Sequence, residues 1–282
     1  MSGREIVLDL PHLRLAALEW GPADGRPVIA LHGWLDNAAS FSALAPLLEG
    51  LHIVALDLPG HGRSDHRPAD ANHHFVDWVP EIAAAADALG WSRFSLLGHS
   101  MGAGISSLVP TVYPQRVERV VLLEGAGPMA APADKAPQQM AAAIADEEKL
   151  ANASPRVFPD FETAVAARLH DSDLDTATAR VLVERGTEEV ADGVRFTFDP
   201  RLKTRSRVRF TEEQAQAFLA AIACPVLAVG ALQGWPFPKE IVMARMAAIK
   251  DLEKTEVEGG HHVHLTHPER VAPVVGEFLT RD

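Results

Sequence analysis

The chain has 282 residues, 47% of them hydrophobic, so it is long enough for one large domain or for a core domain with an insertion. Its net charge of −12 argues against nucleic acid and anionic membranes as partners, and its single cysteine excludes an intramolecular disulfide. The first residues lack the apolar core of a secretory signal, and no run of about 18 apolar residues predicts a membrane span. We therefore expect a soluble, cytoplasmic protein, and composition leaves open whether it is a monomer or a homodimer.

Short apolar runs without alternation recur along the chain after a predicted edge hairpin over residues 5–20. Such runs are typical of strands buried on both faces of a parallel sheet. Helix-like segments separate most of them, and this order predicts an α/β fold with a mostly parallel central sheet flanked by helices. The predicted strands cover residues 28–31, 53–56, 94–97, 120–123 and 226–229. The predicted helices of this part cover residues 77–89, 101–113, 238–250 and 268–279.

Residues 128–222 contain no such strand pattern and are alanine-rich. The segment is too long for a loop. Its periodicity favours helices, which we predict over residues 138–150, 161–170, 177–190 and 211–221. We interpret residues 128–222 as a mainly helical cap domain, inserted into a core domain formed by residues 1–127 and 223–282.

The strand predicted over residues 94–97 runs into Gly98-His99-Ser100-Met101-Gly102 and then into a small-residue helix. A sharp strand-to-helix turn of this kind strains the serine backbone and exposes its hydroxyl, and the flanking glycines leave room for the turn. Ser100 is therefore the predicted nucleophile.

A serine hydroxyl needs a base to activate it, a carboxylate to orient that base, and amide donors for the oxyanion. The loop after the strand 28–31 carries His32-Gly33-Trp34, and its Trp34 amide is one predicted donor. The Met101 amide, at the start of the helix after Ser100, is the other.

His261 follows two glycines in a loop after the last predicted strand, and it is the predicted base, with His262 as second choice. The histidines 261, 262, 264 and 267 also suggest a metal site. No acidic or cysteine partner completes such a site locally, so we expect no metal ion. His264 and His267 are interpreted as structural.

These motifs together resemble the α/β-hydrolase superfamily with a cap domain. The triplet 32–34, the segment 57–64, the turn around Ser100 and Gly260-His261 occur in the family's order. The longer runs 32–37 and 98–104 are similar to the serine-hydrolase-like subgroup. The resemblance spans the whole chain and implies a serine nucleophile and no cofactor. It also implies that His61 belongs to a structural loop.

The orienting acid departs from the pattern of that family. Its usual place follows the strand 226–229, where this chain has no carboxylate and Gln233 stands near the expected position. Glu124 directly follows the neighbouring strand, a place that related hydrolases also use. We predict the triad Ser100, His261 and Glu124, the alternative being that Glu124 is an ordinary exposed acid at a strand end.

A basic stretch lies near the end of the predicted cap. We interpret it as a solvated surface whose side chains pair with acids elsewhere, the alternative being a guanidinium that binds a substrate carboxylate. Trp34 and Trp235, with Phe237, are expected to line an apolar substrate pocket. The basic residues are Arg195, Arg201, Lys203, Arg205, Arg207 and Arg209.

The sequence therefore predicts a hydrolase of small carboxylic esters that works through an acyl-enzyme. Two alternatives stay open. The same triad could cleave carbon–carbon bonds or thioesters, or the fold could serve a non-catalytic ligand receptor.

Overall fold

The computed structural model describes residues 3–154, 156–170 and 172–281. Its strands are β1 (Arg4–Asp9), β2 (Arg14–Trp20), β3 (Arg26–Leu31), β4 (Leu51–Leu56), β5 (Phe94–His99), β6 (Val117–Leu123), β7 (Thr187–Val190), β8 (Gly193–Phe196), β9 (Val226–Gln233) and β10 (Leu252–Gly260). Its α-helices are α1 (Trp78–Ala88), α2 (Met101–Ser106), α3 (Val109–Val112), α4 (Ala136–Ala151), α5 (Phe161–Leu169), α6 (Thr176–Gly186), α7 (Glu212–Ala221), α8 (Lys239–Ala248), α9 (Val263–Thr266) and α10 (Pro268–Thr280). No helix in these ranges is long and apolar enough to cross a lipid bilayer.

Eight strands form one sheet in the order β1-β2-β4-β3-β5-β6-β9-β10. All neighbouring pairs from β4 to β10 are parallel, whereas β2 runs antiparallel to both of its neighbours, β1 and β4. Every residue of β4 and β5 is buried, as apolar runs without alternation predict. The predicted α/β fold with a mostly parallel sheet is confirmed. Because the strands are parallel, the carboxyl ends of β3, β5, β6 and β9 meet at one edge of the sheet.

The helix predicted over residues 101–113 is interrupted. The chain forms α2 and then a separate short turn, α3, with Leu108 donating to the Ile105 carbonyl in between. Pro110 explains the break, since proline has no N–H to donate to the carbonyl one turn earlier. The prediction of one continuous helix was wrong, although its start beside Ser100 was correct.

Residues 128–222, called the insert below, contain four helices, α4 to α7, and the hairpin β7–β8. The helix predicted over residues 177–190 was wrong at its end, because α6 stops at Gly186 and Thr187 begins a strand that pairs with Phe196. Glycine disfavours helix continuation, and the hairpin gains a further neighbour where Val194 and Phe158 exchange backbone hydrogen bonds of 2.8 Å. The division into core and cap domains stays a prediction.

The sheet ends in β10, which the apolar-run criterion missed. Gly259 and Gly260 were predicted to lie in a loop before His261, but they are the last residues of β10, and Gly260 pairs with Gln233 of β9. The strand is mostly exposed and carries polar side chains such as Glu253 and Glu256, because it forms the outer edge of the sheet. An edge strand buries too little surface to require an apolar run.

Candidate active site

Ser100 lies in the turn between β5 and α2, with φ +52° and ψ −112°. A side chain on either flanking glycine would overlap backbone, Gly98 with the Gly102 carbonyl and Gly102 with the Leu31 carbonyl. The Ser100 amide donates to the Leu123 carbonyl of the neighbouring strand at 2.9 Å. The surrounding sheet thus holds a strained backbone that presents the hydroxyl at the edge of the sheet.

His261 follows β10 and brings its imidazole to this hydroxyl. The distance from His261 Nε2 to Ser100 Oγ is 2.9 Å, within hydrogen-bond range. Two contacts fix the loop: His99 Nε2 donates to the His261 carbonyl at 2.8 Å, and the Gly259 amide donates to Gln233 Oε1 at 2.9 Å. Gln233, near the usual place of the acid, therefore positions the loop of the base rather than the imidazole itself.

Glu124 is the carboxylate that contacts this imidazole, although it lies 137 residues away along the chain. Its Oε2 accepts from His261 Nδ1 at 3.1 Å and from the Trp235 amide at 3.0 Å, and its Oε1 accepts from the Ala231 amide at 2.6 Å. Glu124 is only 8% exposed, so the alternative of an exposed strand-end acid does not hold. The structure brings Ser100, His261 and Glu124 into one hydrogen-bonded chain, and their catalytic roles stay a prediction.

Gly234 leaves room for this carboxylate. A methyl group there would overlap all three atoms of the Glu124 carboxyl group. We expect Gly234→Ala to displace the carboxylate from His261 and to lower kcat by about 10- to 100-fold, because an error of about 1 Å in a catalytic group has this effect. Steady-state kinetics with an activated ester would measure the change.

Gly230 supplies the matched control, since it lies on β9 near the same carboxylate. A methyl group there would make only ordinary contacts, 3.6 Å from Glu256 Cγ and 4.0 Å from Glu124 Oε1. Gly230→Ala should keep kcat within about twofold of the parent, as a volume-tolerant site allows. Equal kinetics for the two variants would contradict a role for the Glu124 carboxylate.

The predicted oxyanion donors are the amides of Met101 and Trp34, and this role stays a prediction. Met101 is the first residue of α2, so its amide has no partner within the helix. Trp34 lies in the loop after β3, where the next residue, Leu35, has φ +61°. Leu35, Ser100 and Glu124 are the residues other than glycine with positive φ in the described part of the chain. Ser100 and Glu124 belong to the hydrogen-bonded chain of the site, and Leu35 directly follows Trp34. Such strain concentrates at functional sites, which supports the assignment.

Trp34 and Trp235 were expected to line a substrate pocket, and this role stays a prediction. Trp34 is 53% exposed and Trp235 59% exposed, so both have surface available for a ligand. The Trp235 ring centroid is 5.7 Å from that of His261. The Trp34 indole N–H donates to the Leu202 carbonyl at 2.9 Å, so the insert contacts the loop after β3 that carries a predicted oxyanion donor.

Sequence reasoning missed a partly buried charged network next to the base, which we call the His262 clasp (Asp36, Arg168, Asp173 and His262). His262 Nδ1 contacts Asp173 Oδ1 at 2.5 Å, and its Nε2 lies 3.4 Å from Asp36 Oδ2. Arg168 donates to Asp36 Oδ1 at 2.6 Å. Since Arg168 and Asp173 belong to the insert, the clasp joins the insert to the residue next to His261. The sequence shows that Asp36 and Asp173 are acids, but no local pattern indicates that they contact His262.

The clasp makes stability depend on pH. Despite burial, which lowers it, the pKa of His262 is raised from 6.5 to about 9, because Asp36 and Asp173 stabilise the imidazolium. The stabilisation is complete below pH 6.5 and is lost as the pH rises through about 9. We expect the free energy of unfolding to fall by roughly 3 kcal/mol across this window. In His262→Gln the decline should disappear, as urea unfolding at a series of pH values would measure.

His264 provides the control for that measurement. It is buried, its Nε2 contacts Ser40 Oγ at 2.7 Å, and burial lowers its pKa to about 3. It therefore destabilises the fold only below pH 6.5, where the unfolded chain binds the proton. His264→Gln should keep the decline above neutral pH. A decline that persisted in His262→Gln would contradict the clasp as its origin.

The remaining predicted residues lie away from Ser100. His61 is fully buried against the His32 ring, consistent with a structural role. His262, the second choice for the base, contacts Asp173 of the clasp rather than the serine. Within the described ranges, no group of three histidine, cysteine, aspartate or glutamate side chains has a geometry that could hold a metal ion. His261 and His264 make hydrogen bonds instead.

Most of the basic stretch is paired with acids. Three arginines pair with carboxylates elsewhere, as the solvated-surface interpretation predicts: Arg195 with Glu188, Arg205 with Asp146 and Arg207 with Glu147. Arg201 pairs with the nearby Asp199, and Arg195, Arg201 and Lys203 all line a cavity in the insert. No contact of Arg209 bears on either interpretation.

The sequence matches the protein family described as alpha/beta hydrolase fold over residues 26–268. It is 34% identical to a serine hydrolase-like protein of Danio rerio, over 99% of this chain and 89% of that protein. Serine hydrolase-like protein 2 of Homo sapiens is 30% identical over 98% of this chain and 93% of its own length. A crystal structure of a hypothetical protein from Pseudomonas aeruginosa is 42% identical and superposes with a TM-score of 0.93, over 98% of this chain and 99% of that one.

Proposed function

Since the chain belongs to the α/β-hydrolase fold family, with serine hydrolase-like relatives over nearly its full length, we propose that it hydrolyses small carboxylic esters through an acyl-enzyme. One observation carries the proposal: Ser100, His261 and Glu124 form a continuous hydrogen-bonded chain at the carboxyl edge of the sheet. The insert contacts Trp34, and we take this contact as support for small substrates.

In the first half-reaction, Ser100 Oγ attacks the ester carbonyl carbon while its proton passes to His261 Nε2. Glu124 holds the Nδ1–H of that ring and stabilises the imidazolium that forms. The amides of Trp34 and Met101 stabilise the oxyanion of the tetrahedral intermediate. When the intermediate collapses, the carbon–oxygen bond to the leaving group breaks and His261 protonates the departing alcohol.

In the second half-reaction, water attacks the acyl-enzyme and gives its proton to His261. The second tetrahedral intermediate expels Ser100 Oγ, which regains its proton, and the carboxylic acid leaves. Each step uses the same donors and the same base, so no cofactor is needed.

Labelling with a fluorophosphonate probe tests the nucleophile. We expect rapid labelling of the unmodified chain and none of Ser100→Ala. Ser107→Ala is the matched control: this buried serine lies just after α2, its hydroxyl donates to the Gly104 carbonyl, and its removal should leave labelling intact. A chain that stays unlabelled would favour the non-catalytic receptor.

A substrate screen then separates the enzymatic alternatives. We expect turnover of p-nitrophenyl esters with short acyl chains, falling as the chain lengthens. Turnover of acyl thioesters in preference to the matching oxygen esters would favour a thioesterase. Labelling by the probe without turnover of either would leave carbon–carbon bond hydrolysis as the activity to test.

A further inference from the structure

The insert contains a cavity of about 410 Å³ between the end of α4, the segment that precedes α5, the last turn of α5 and the segment from β8 to Lys203. Three phenylalanines line it. The rings of Phe158 and Phe196 meet edge to face at 5.4 Å between centroids, and those of Phe196 and Phe198 stack at 5.4 Å. The volume is within the range of about 300–1,000 Å³ typical of small-molecule sites. Sequence analysis did not predict it.

Four cationic side chains line this cavity, and Asp199 is the single acid among its lining residues. Two of the cations are already paired. Arg201 binds Asp199 and the backbone carbonyls of the segment 67–71, and Arg195 binds Glu188. Asp199 is 2% exposed, and its carboxylate contacts His73 as well as Arg201. It is therefore already paired within the cavity wall.

Arg156 and Lys203 are the other two cations, and neither has a carboxylate within ion-pair distance in the described part of the chain. Each lies over an aromatic ring instead, Arg156 Cζ at 4.5 Å from the Phe158 centroid and Lys203 Nζ at 4.6 Å from the Phe198 centroid. Burial and the neighbouring Arg156 both lower the pKa of Lys203. Two mutually repelling cations without an acid are unusual in a chain of net charge −12, and an anion between them would remove the repulsion.

One hydrogen bond links the segment that lines the cavity to the loop of the candidate active site. Leu202, between the lining residues Arg201 and Lys203, accepts it from the Trp34 indole. Trp34 also provides a proposed oxyanion amide. A substrate with its carbonyl at Ser100 could thus place its acyl chain past Trp34 toward the cavity.

We propose that the cavity binds the carboxylate of an anionic substrate, so that the substrates of this chain are monoesters of dicarboxylic acids. The inference rests on the proposed ester hydrolysis and specifies its acyl group. Arg156 and Lys203 bind the distal carboxylate, and the phenylalanines contact the hydrocarbon chain. An organic anion fits this lining better than inorganic phosphate, because most of the wall is apolar.

The kinetic test compares p-nitrophenyl monoesters of adipic, suberic and sebacic acid with neutral hexanoate, octanoate and decanoate esters. We expect kcat/KM to favour the anionic member of at least one pair by about tenfold, which corresponds to about 1.4 kcal/mol. In Lys203→Met and Arg156→Met this preference should vanish through a higher KM. Arg205→Met is the matched control, because Arg205 pairs with Asp146 outside the cavity, and it should keep the preference.

A binding test separates this inference from the proposed function. Calorimetric titration of Ser100→Ala with suberate needs no turnover, and we expect binding that Lys203→Met weakens about tenfold. Binding without hydrolysis of any ester would overturn the proposed function and leave the anion site standing. Ester hydrolysis without an anionic preference and without suberate binding would overturn the anion site alone. Equal losses in Lys203→Met and Arg205→Met would also overturn it.

Discussion

Glu124→Gln is expected to lower kcat by about 10³- to 10⁴-fold while the chain stays folded. The Glu124 carboxylate accepts hydrogen bonds from three N–H groups, those of His261 Nδ1, Ala231 and Trp235. A glutamine has one oxygen and one NH₂ group, so its amide nitrogen must face at least one of these donors. The neutral side chain also cannot stabilise the His261 imidazolium. Hydrolysis of a p-nitrophenyl ester, with circular dichroism as a check on folding, would measure the effect.

Glu256→Gln is the matched control, because it makes the same chemical change on the edge strand β10. This carboxylate is exposed, so its loss should leave kcat within about twofold, as is usual for surface substitutions. Glu124→Asp keeps the charge but shortens the side chain, and it should retain more activity than Glu124→Gln. Near-normal turnover by Glu124→Gln would remove Glu124 from the mechanism.

Arg185→Leu is expected to reduce the free energy of unfolding by about 3–5 kcal/mol, the usual effect of removing one partner from a buried ion pair. Arg185, in α6 of the insert, is 5% exposed, and Asp57, which follows β4, is fully buried. The Arg185 guanidinium contacts both Asp57 oxygens at 3.0 Å and Glu5 at 2.7 Å. Without it, Asp57 would keep two backbone donors, Ala38 and Arg63, but no counter-charge. Urea unfolding would measure the loss.

Arg195→Leu is the control for that comparison. Arg195 pairs with Glu188 on the exposed hairpin β7–β8, and exposed ion pairs contribute only about 0–1 kcal/mol. Its stability should therefore stay close to that of the parent chain. If Arg185→Leu were equally mild, the insert would not depend on this pair for its attachment to the sheet.

Local patterns were enough to predict the central parallel strands of the sheet and the position of the nucleophile. Apolar runs without alternation indicate parallel strands buried on both faces, and β3 to β6 and β9 were found this way. Ser100 is recognisable because the strand, the glycines and the helix that constrain it are contiguous in sequence. Glu124 was predicted because the family that the chain resembles also uses the end of this strand, the usual place of the acid has no carboxylate here, and parallel strands bring their carboxyl ends to one edge.

Other features could not be predicted, because they depend on which distant surfaces meet. The polar residues of β10 form a strand because they pair with β9, and their own pattern does not indicate one. The helix α6 ends at Gly186, where the hairpin β7–β8 begins. The His262 clasp joins side chains that are up to 226 positions apart, with no local pattern to link them.

What the sequence by itself determined is therefore the fold class and the serine, since both follow from residues that constrain their own neighbours. The tertiary structure decided which carboxylate reaches His261, how Arg185 and the His262 clasp attach the insert, and where Arg156 and Lys203 are left without acids. Ion pairs and hydrogen bonds between distant segments depend on sub-ångström placement by the packed core, and a linear pattern does not carry that information.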